Sequence, residues 1–227
     1  KGEFIALSEE LRKRLMELHS VAVKSKNGVK LNKYASLALD GLFDNLEDLK
    51  TDKAWKDFRS RVNSKSIRDS ELPTNLQADL RPYQEEGYRW MMRLAEMGAG
   101  ACLADDMGLG KTLQTLAMLL KRMDKGPALV VCPVSIVGNW IAEAQRFAPM
   151  LNMQILNSND RDKTIKDLTE GDVLVTSYGL LQSEEELFAK KEFATIVLDE
   201  AHIIKNYATK TSKAIMNLKG DFRLALT

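Results

Sequence analysis

Two short stretches carry residues able to do chemistry. "LADDMGLGKT", residues 103–112, closes on Gly-Lys-Thr, the ending of a phosphate-binding loop of the form G-x-x-x-x-G-K-S/T. Gly108 and Gly110 let the backbone approach a phosphate closely. Lys111 has the reach for the β- and γ-phosphates of ATP, and the Thr112 hydroxyl suits Mg²⁺. The fit to the general pattern is incomplete, because its first glycine falls at 105 and this chain has Asp105 there. A glycine turn before an ordinary helix is the plain alternative. The second stretch is "DEAH", residues 199–202, at the end of an apolar run. Adjacent carboxylates there suit phosphate-ester hydrolysis. Asp199 would hold Mg²⁺ through water, as a Walker-B aspartate does, and Glu200 would polarise the attacking water as general base. Four letters alone are weak evidence, since a strand followed by a capped helix reads the same way.

These residues need elements that bring them together. Short apolar runs, "ACLAD" (101–105), "ALVVC" (128–132), "MQIL" (153–156), "VLVTS" (173–177), "TIVLD" (195–199) and "RLALT" (223–227), alternate with amphipathic segments such as "KTLQTLAMLLKRM" and "NWIAEAQRFA". Most of the runs are continuous, as in parallel strands covered on both faces. Strand–helix alternation implies an α/β fold, a parallel sheet with right-handed crossovers. Ligands of such sheets sit at the carboxyl ends of the strands, where both motifs fall. Residues 1–72 read differently, as a helical and charged region. Leu7, Leu11, Leu15 and Leu18 share one helix face behind Ser8 as N-cap, and Trp55, Phe58 and Val62 repeat the spacing. Asn27-Gly28 is a turn signal, and "SELPTNL" marks a boundary before residues 73–227.

Bulk properties narrow the class. A chain of 227 residues holds one or two domains and needs no disulfide or metal staple. No apolar run is long enough to span a membrane, and the first residues lack the apolar stretch of a secretory signal, so an intracellular location is expected. Cys102 and Cys132 sit in apolar runs and read as buried free thiols. A net charge of +1 advertises no nucleic acid, so any DNA contact would run through a local patch.

"LRPYQEEGYRWM", "LADDMGLGKTLQTLA", "ALVVCPVSIVGNW", "LVTSYGLL" and "VLDEAHIIKN" occur in that order. Together they closely resemble the motifs of the Swi/Snf-type DNA-translocating ATPases, a branch of helicase superfamily 2. The resemblance covers residues 76–227, and its wording looks most like bacterial members. It settles the status of Asp105, because the family's loop reads Asp-(Glu/Asp)-Met-Gly-Leu-Gly-Lys-Thr. Asp106, Met107, Gly108, Leu109, Gly110, Lys111 and Thr112 are thereby implied to hold ATP. Gln84 matches the family's adenine-recognising glutamine, framed by Arg81 and Tyr83; read without the family, it is a surface helix residue. His202 is implied to couple the nucleotide site to the nucleic-acid side. Pro133, Val134 and Ser135, with Asn139, and Thr176, Ser177 and Tyr178 match segments that grip a DNA strand. Small hydroxyls and backbone N–H groups there would bind phosphate without reading sequence. Trp140 and Tyr178 would stack on DNA or, as the favoured reading, pack in the core. Lys205 would help shape that surface or be simply solvated.

The resemblance also implies a RecA-like lobe whose last strand lies between the phosphate-loop and DEAH strands. A second lobe of the same parent would follow, supplying arginines to the γ-phosphate and half of the duplex DNA track. The expected function is the ATP- and DNA-binding N-terminal lobe of a duplex-DNA translocase, nearly silent alone. An RNA-directed helicase of the same superfamily, and a nucleotide-dependent scaffold without turnover, remain open.

Overall fold

A computed structural model of the chain describes residues 70–106, 108–156 and 160–227, with Met16 and Lys53 as single helical positions and strand backbone at 22–25 and 28–31. The leucine face of residues 7–18 with Ser8, the Trp55/Phe58/Val62 repeat, and Met107 all lie outside the described residues. The chain forms two compact units, Lys1–Asn63 and Ser64–Thr227. In the first, β1 (Ala22–Ser25) and β2 (Gly28–Leu31) pair antiparallel, with Ser25 opposite Gly28. The turn signal in a region read as helical thus joins two strands, each carrying a β-branched valine.

The second unit is built on six parallel strands. They are β3 (Ala101–Leu103), β4 (Ala128–Cys132), β5 (Asn152–Ile155), β6 (Asp172–Ser177), β7 (Glu192–Leu198) and β8 (Lys219–Leu226), in the order β3-β8-β7-β4-β6-β5. All five pairings are parallel. Each apolar run of the sequence becomes a strand, and the last strand lies between the phosphate-loop strand and the DEAH strand. The helices are α1 (Pro82–Glu96), α2 (Lys111–Arg122), α3 (Val137–Phe147), α4 (Arg161–Asp167), α5 (Tyr178–Ser183), α6 (Glu185–Lys190) and α7 (Lys210–Met216). Their ends follow local chemistry. Pro82 starts α1, where its missing N–H costs nothing. The side chains of Asp160, Ser177 and Thr209 accept backbone N–H bonds at the starts of α4, α5 and α7.

Two apolar layers flank the sheet. Tyr88 and Met91 of α1, Leu116 and Leu120 of α2 and Trp140 of α3 pack with Val130, Val175, Val197, Phe222 and Leu224 on one face. Ile165, Leu181, Phe188 and Ile215 pack with Leu129, Leu174 and Ile196 on the other. This second layer stops short of β3 and β8. In β8 the residues Phe222, Leu224 and Leu226 are buried while those between them are partly exposed. Double coverage therefore holds for the middle strands only. Cys102 is exposed for the same reason, contrary to the reading of two buried thiols: β3 is an edge strand, and this residue points to its uncovered face. Cys132 is buried, and burial with the nearby charge of Asp199 pushes its thiol up to about 12.

Candidate nucleotide site and the segments beside it

The loop from β3 to α2 is shaped by two glycines and one lysine. Gly110 is left-handed, at φ 77, and forms the N-cap of α2 with no side-chain cap bond. A Cβ there would fall on the Gln84 Nε2, so both conformation and space demand glycine. Gly108, at φ 84, has open space around it, and only its backbone conformation matters. The first turn of α2 carries no acidic side chain. Its N–H groups and the positive end of the helix dipole are therefore left for an anion. Lys111 Nζ donates to the carbonyls of Asp105, at 2.5 Å, and Asp106, at 3.2 Å. Thr112 is half-buried at the second helical position.

The start of α1 docks on this loop. Gln84 Nε2 and Tyr83 Oη both donate to the Leu109 carbonyl, at 3.0 and 3.2 Å. Gln84 Oε1 accepts the Arg81 N–H at 2.9 Å. Gln84 is 6% exposed, not a surface residue as its plain reading had it. One amide hydrogen and one carbonyl lone pair of that side chain remain for another group. Arg81 and Tyr83 stay exposed beside it.

At the end of β7 every polar group of Asp199 is engaged. Its N–H donates to the Val131 carbonyl at 2.8 Å, and its carbonyl accepts the Tyr178 hydroxyl at 2.7 Å. Its carboxylate accepts the Trp140 Nε1–H on Oδ2 and the Glu200 N–H on Oδ1, both at 2.9 Å. Burial pushes this carboxyl up from its ordinary value; those two hydrogen bonds pull it down, the Glu200 charge raises it again, and the Lys111 charge lowers it. The charge of the phosphate-loop lysine thus reaches the DEAH aspartate across the intervening strand β8. Glu200 is left-handed, at φ 54, and among the described residues it is the single non-glycine with positive φ. Such a conformation costs about 1–2 kcal/mol and clusters at functional sites. Its carboxylate lies 3.2 Å from Nδ1 of the exposed His202.

The two segments expected to grip DNA divide into outward and inward residues. Val134, Ser135 and Asn139 are exposed, Val134 by 75%, and Pro133 and Ser177 are half-buried. Ser177 Oγ also caps α5 by accepting the Leu180 N–H. Thr176 is 2% exposed, and its hydroxyl has no hydrogen-bond partner among the described residues. Tyr178 and Trp140 are 6% and 1% exposed, so both rings pack in the core, as the favoured reading had it. Lys205 is exposed. Sequence reasoning missed that Trp140 and Tyr178 hold Asp199. It also missed Glu143, one turn after Trp140, whose carboxyl is raised by burial and by the charge of Asp199. Nothing in residue type or spacing signals either, because the partner is supplied by a strand far along the chain.

A nucleotide with Mg²⁺ fits these residues. The loop leaves Gly108 open, α2 presents uncapped N–H groups, and a hydroxyl and an ammonium after β3 share one edge of the sheet with two carboxylates after β7, with β8 between. Among the described residues, no cluster of His, Cys, Asp and Glu would hold a metal unaided.

Comparison with known proteins gives the family and the fold. The model of the SNF2-related domain matches residues 83–227. YwqA of Bacillus subtilis, named as an ATP-dependent helicase/translocase, is 34% identical over 234 residues, covering 100% of this chain and 24% of that protein. Helicase SWR1 of Candida albicans is 34% identical over 175 residues, 73% of this chain and 11% of that protein. The chain thus spans a quarter or less of these relatives. The Sulfolobus solfataricus SWI2/SNF2 ATPase core in complex with dsDNA superposes with a TM-score of 0.64 at 42% identity, over 70% of this chain and 34% of that one. Loop, DEAH strand and strand order together make this sheet RecA-like, and the chain belongs to the SNF2-related family.

Proposed function

We propose that this chain is the nucleotide-binding N-terminal lobe of a longer ATP-driven translocase on duplex DNA. The observation that carries the reading is that the Lys111 loop after β3 and the Asp199-Glu200 pair after β7 lie at the same edge of the sheet, one strand apart, close enough for the lysine's charge to lower the aspartate's carboxyl. Residues 106–112 cradle the phosphates of ATP, and Gln84, with its remaining donor and acceptor, meets the adenine edge beside Arg81 and Tyr83. Thr112 and Asp199 are the residues that would hold Mg²⁺, which would supply positive charge to the phosphates. Glu200 takes a proton from the attacking water, and His202, at its carboxylate, links that event to the DNA side.

Duplex DNA is the proposed track because the superposed Sulfolobus core is a DNA complex. Ser135, Asn139 and Ser177 are the side chains this lobe offers to phosphates, with Val134 supplying a backbone N–H and Pro133, which has none, setting the turn. Thr176 and Tyr178 contribute through backbone only. The proposed partners are therefore duplex DNA and a second RecA-like lobe of the parent, with the work done inside the cell. Arginines of that second lobe would complete the γ-phosphate site. Such arginines are worth about 10³–10⁵ in rate for related transfers, or roughly 4–7 kcal/mol. The test is ATP turnover by this chain and by the two-lobe parent, each with and without duplex DNA. The expected result is a nearly silent chain beside a DNA-stimulated parent. Equal turnover by both, indifferent to DNA, would sink the two-lobe reading.

A further inference from the structure

Each of the two DNA-side segments sends one aromatic side chain to Asp199, and the two act on different atoms. Trp140 lies on α3 directly after Asn139, and a single turn of 3₁₀ helix, Val134–Ile136, joins that helix to Pro133. Its Nε1–H reaches Asp199 Oδ2 at 2.9 Å. Tyr178 directly follows Ser177 at the start of α5, and its hydroxyl reaches the Asp199 carbonyl at 2.7 Å. We propose that Trp140 and Tyr178 are positioning residues through which the segments at 133–139 and 176–178 set the geometry of the DEAH carboxylates. The inference rests on the nucleotide and DNA roles given above.

A buried indole or phenol needs a hydrogen-bond partner, and a nearby backbone carbonyl would satisfy it. Both of these take Asp199 as that partner, Trp140 through its carboxylate and Tyr178 through its backbone carbonyl. Indole is a donor only, with a single N–H, so Trp140 has nothing else to offer once it leaves Asp199. With the ring 1% exposed, α3 cannot shift against β7 without turning that carboxylate. Tyr178 holds a different part, the carbonyl of the peptide between Asp199 and Glu200. That peptide leads into the left-handed Glu200. Fixing its plane holds the general base in a backbone conformation it would not choose alone. One segment therefore governs the metal-side carboxylate, and the other governs where the base points.

The test uses the full-length parent, with ATP turnover measured without DNA and with saturating duplex, and duplex affinity measured by anisotropy of a labelled duplex. Tyr178→Phe deletes one donor from a ring that stays packed, and Trp140→Phe deletes one donor while also shrinking a buried ring. Phe188→Leu, on α6 in the layer that also holds Tyr178 and away from Asp199, controls for general loosening. Each donor deletion is expected to cut the ratio of DNA-stimulated to basal turnover about tenfold, the loss of one hydrogen bond to a charged or strained partner. Duplex affinity is expected to stay within about twofold, since neither ring faces solvent. A ratio unchanged in both variants, or lowered equally by Phe188→Leu, overturns the proposal. Tyr178→Phe removes a single oxygen and keeps the test decisive if Trp140→Phe does not fold. A wild-type parent that DNA does not stimulate overturns the underlying translocase reading, and this inference with it, before any variant is compared.

Discussion

The two ends of the sheet treat charge in opposite ways. Where β6 begins, Asp172 accepts hydrogen bonds from the N–H and hydroxyl of Thr169 and from the amides of Asn152 and Gln154, at 2.6 to 3.0 Å. Burial alone would raise its carboxyl, but these four donors outweigh it and hold the group below its ordinary value. Nearby, the buried Arg122 donates to the Thr195 hydroxyl, the Ala194 carbonyl and Asp221, and lies over the Phe222 ring. Where the strands end, burial pushes the Asp199 carboxyl up despite its donors, Glu200 sits in a left-handed conformation, and the Thr176 hydroxyl has no partner among the described residues. Saturated networks at one end leave the fold able to tolerate strain and imperfect pairing at the other, where a substrate has to find something left to bind.

Substitutions can break or sharpen that contrast. The largest effect is expected from Lys111→Ala in the parent, which should lower turnover by about 10²–10³ or more, as loss of a charge-stabilising donor does. Its melting temperature should move by no more than about 2 °C, because the lysine bonds only carbonyls of its own loop. Arg122→Met, at the other end, should do the reverse. Urea unfolding should report a loss of about 1–3 kcal/mol from the acceptors left unpaired. Asp172→Asn should cost about 1–3 kcal/mol at neutral pH. Because the folded carboxyl is held low, its contribution is present above the unfolded value of about 3.9 and is lost as pH falls through the folded one. The gap between mutant and wild type in urea should therefore narrow below about pH 4, and a gap that widens would contradict the assignment. The smallest effect has the opposite sign. Glu200→Gly should raise stability by about 1 kcal/mol or less, since glycine accepts the left-handed conformation but loses more chain entropy, while removing the general base. A destabilised Glu200→Gly would mean that this backbone is not strained.

Much of this architecture was legible in the residues. Each apolar run became a strand, because parallel strands buried on two faces leave no alternation to misread. The turn between β3 and α2 was legible because Gly108 and Gly110 take left-handed conformations there. Less could be read where burial depends on a distant element. Cys102 looked like Cys132 until β3 proved to be an edge with one face uncovered. Thr176 and Ser177 are adjacent hydroxyls, yet the strand turns one inward and leaves the other half-exposed at a helix cap. Trp140 and Tyr178 were assigned to the core without their common partner, since contact with residue 199 requires knowing that β7 lies beside β4. The Asn27-Gly28 signal marked a turn but not what it joins, for four-residue strands carry too little pattern to outweigh a charged background.

The position of β8 bears on how the nucleotide site comes into being. The phosphate-loop strand β3 has β8 as its one sheet neighbour among the described residues, with the Thr227 N–H donating to the Leu103 carbonyl at the close. The earliest strand of this sheet thus pairs with the latest, a contact of the highest sequence separation and so among the slowest to form. On the ribosome, where chains emerge from the N-terminus, β4 to β7 can associate while the loop strand waits. The loop strand would then be held only after β8 has taken its place between it and β7, which makes order in that loop a readout of how far this sheet has assembled.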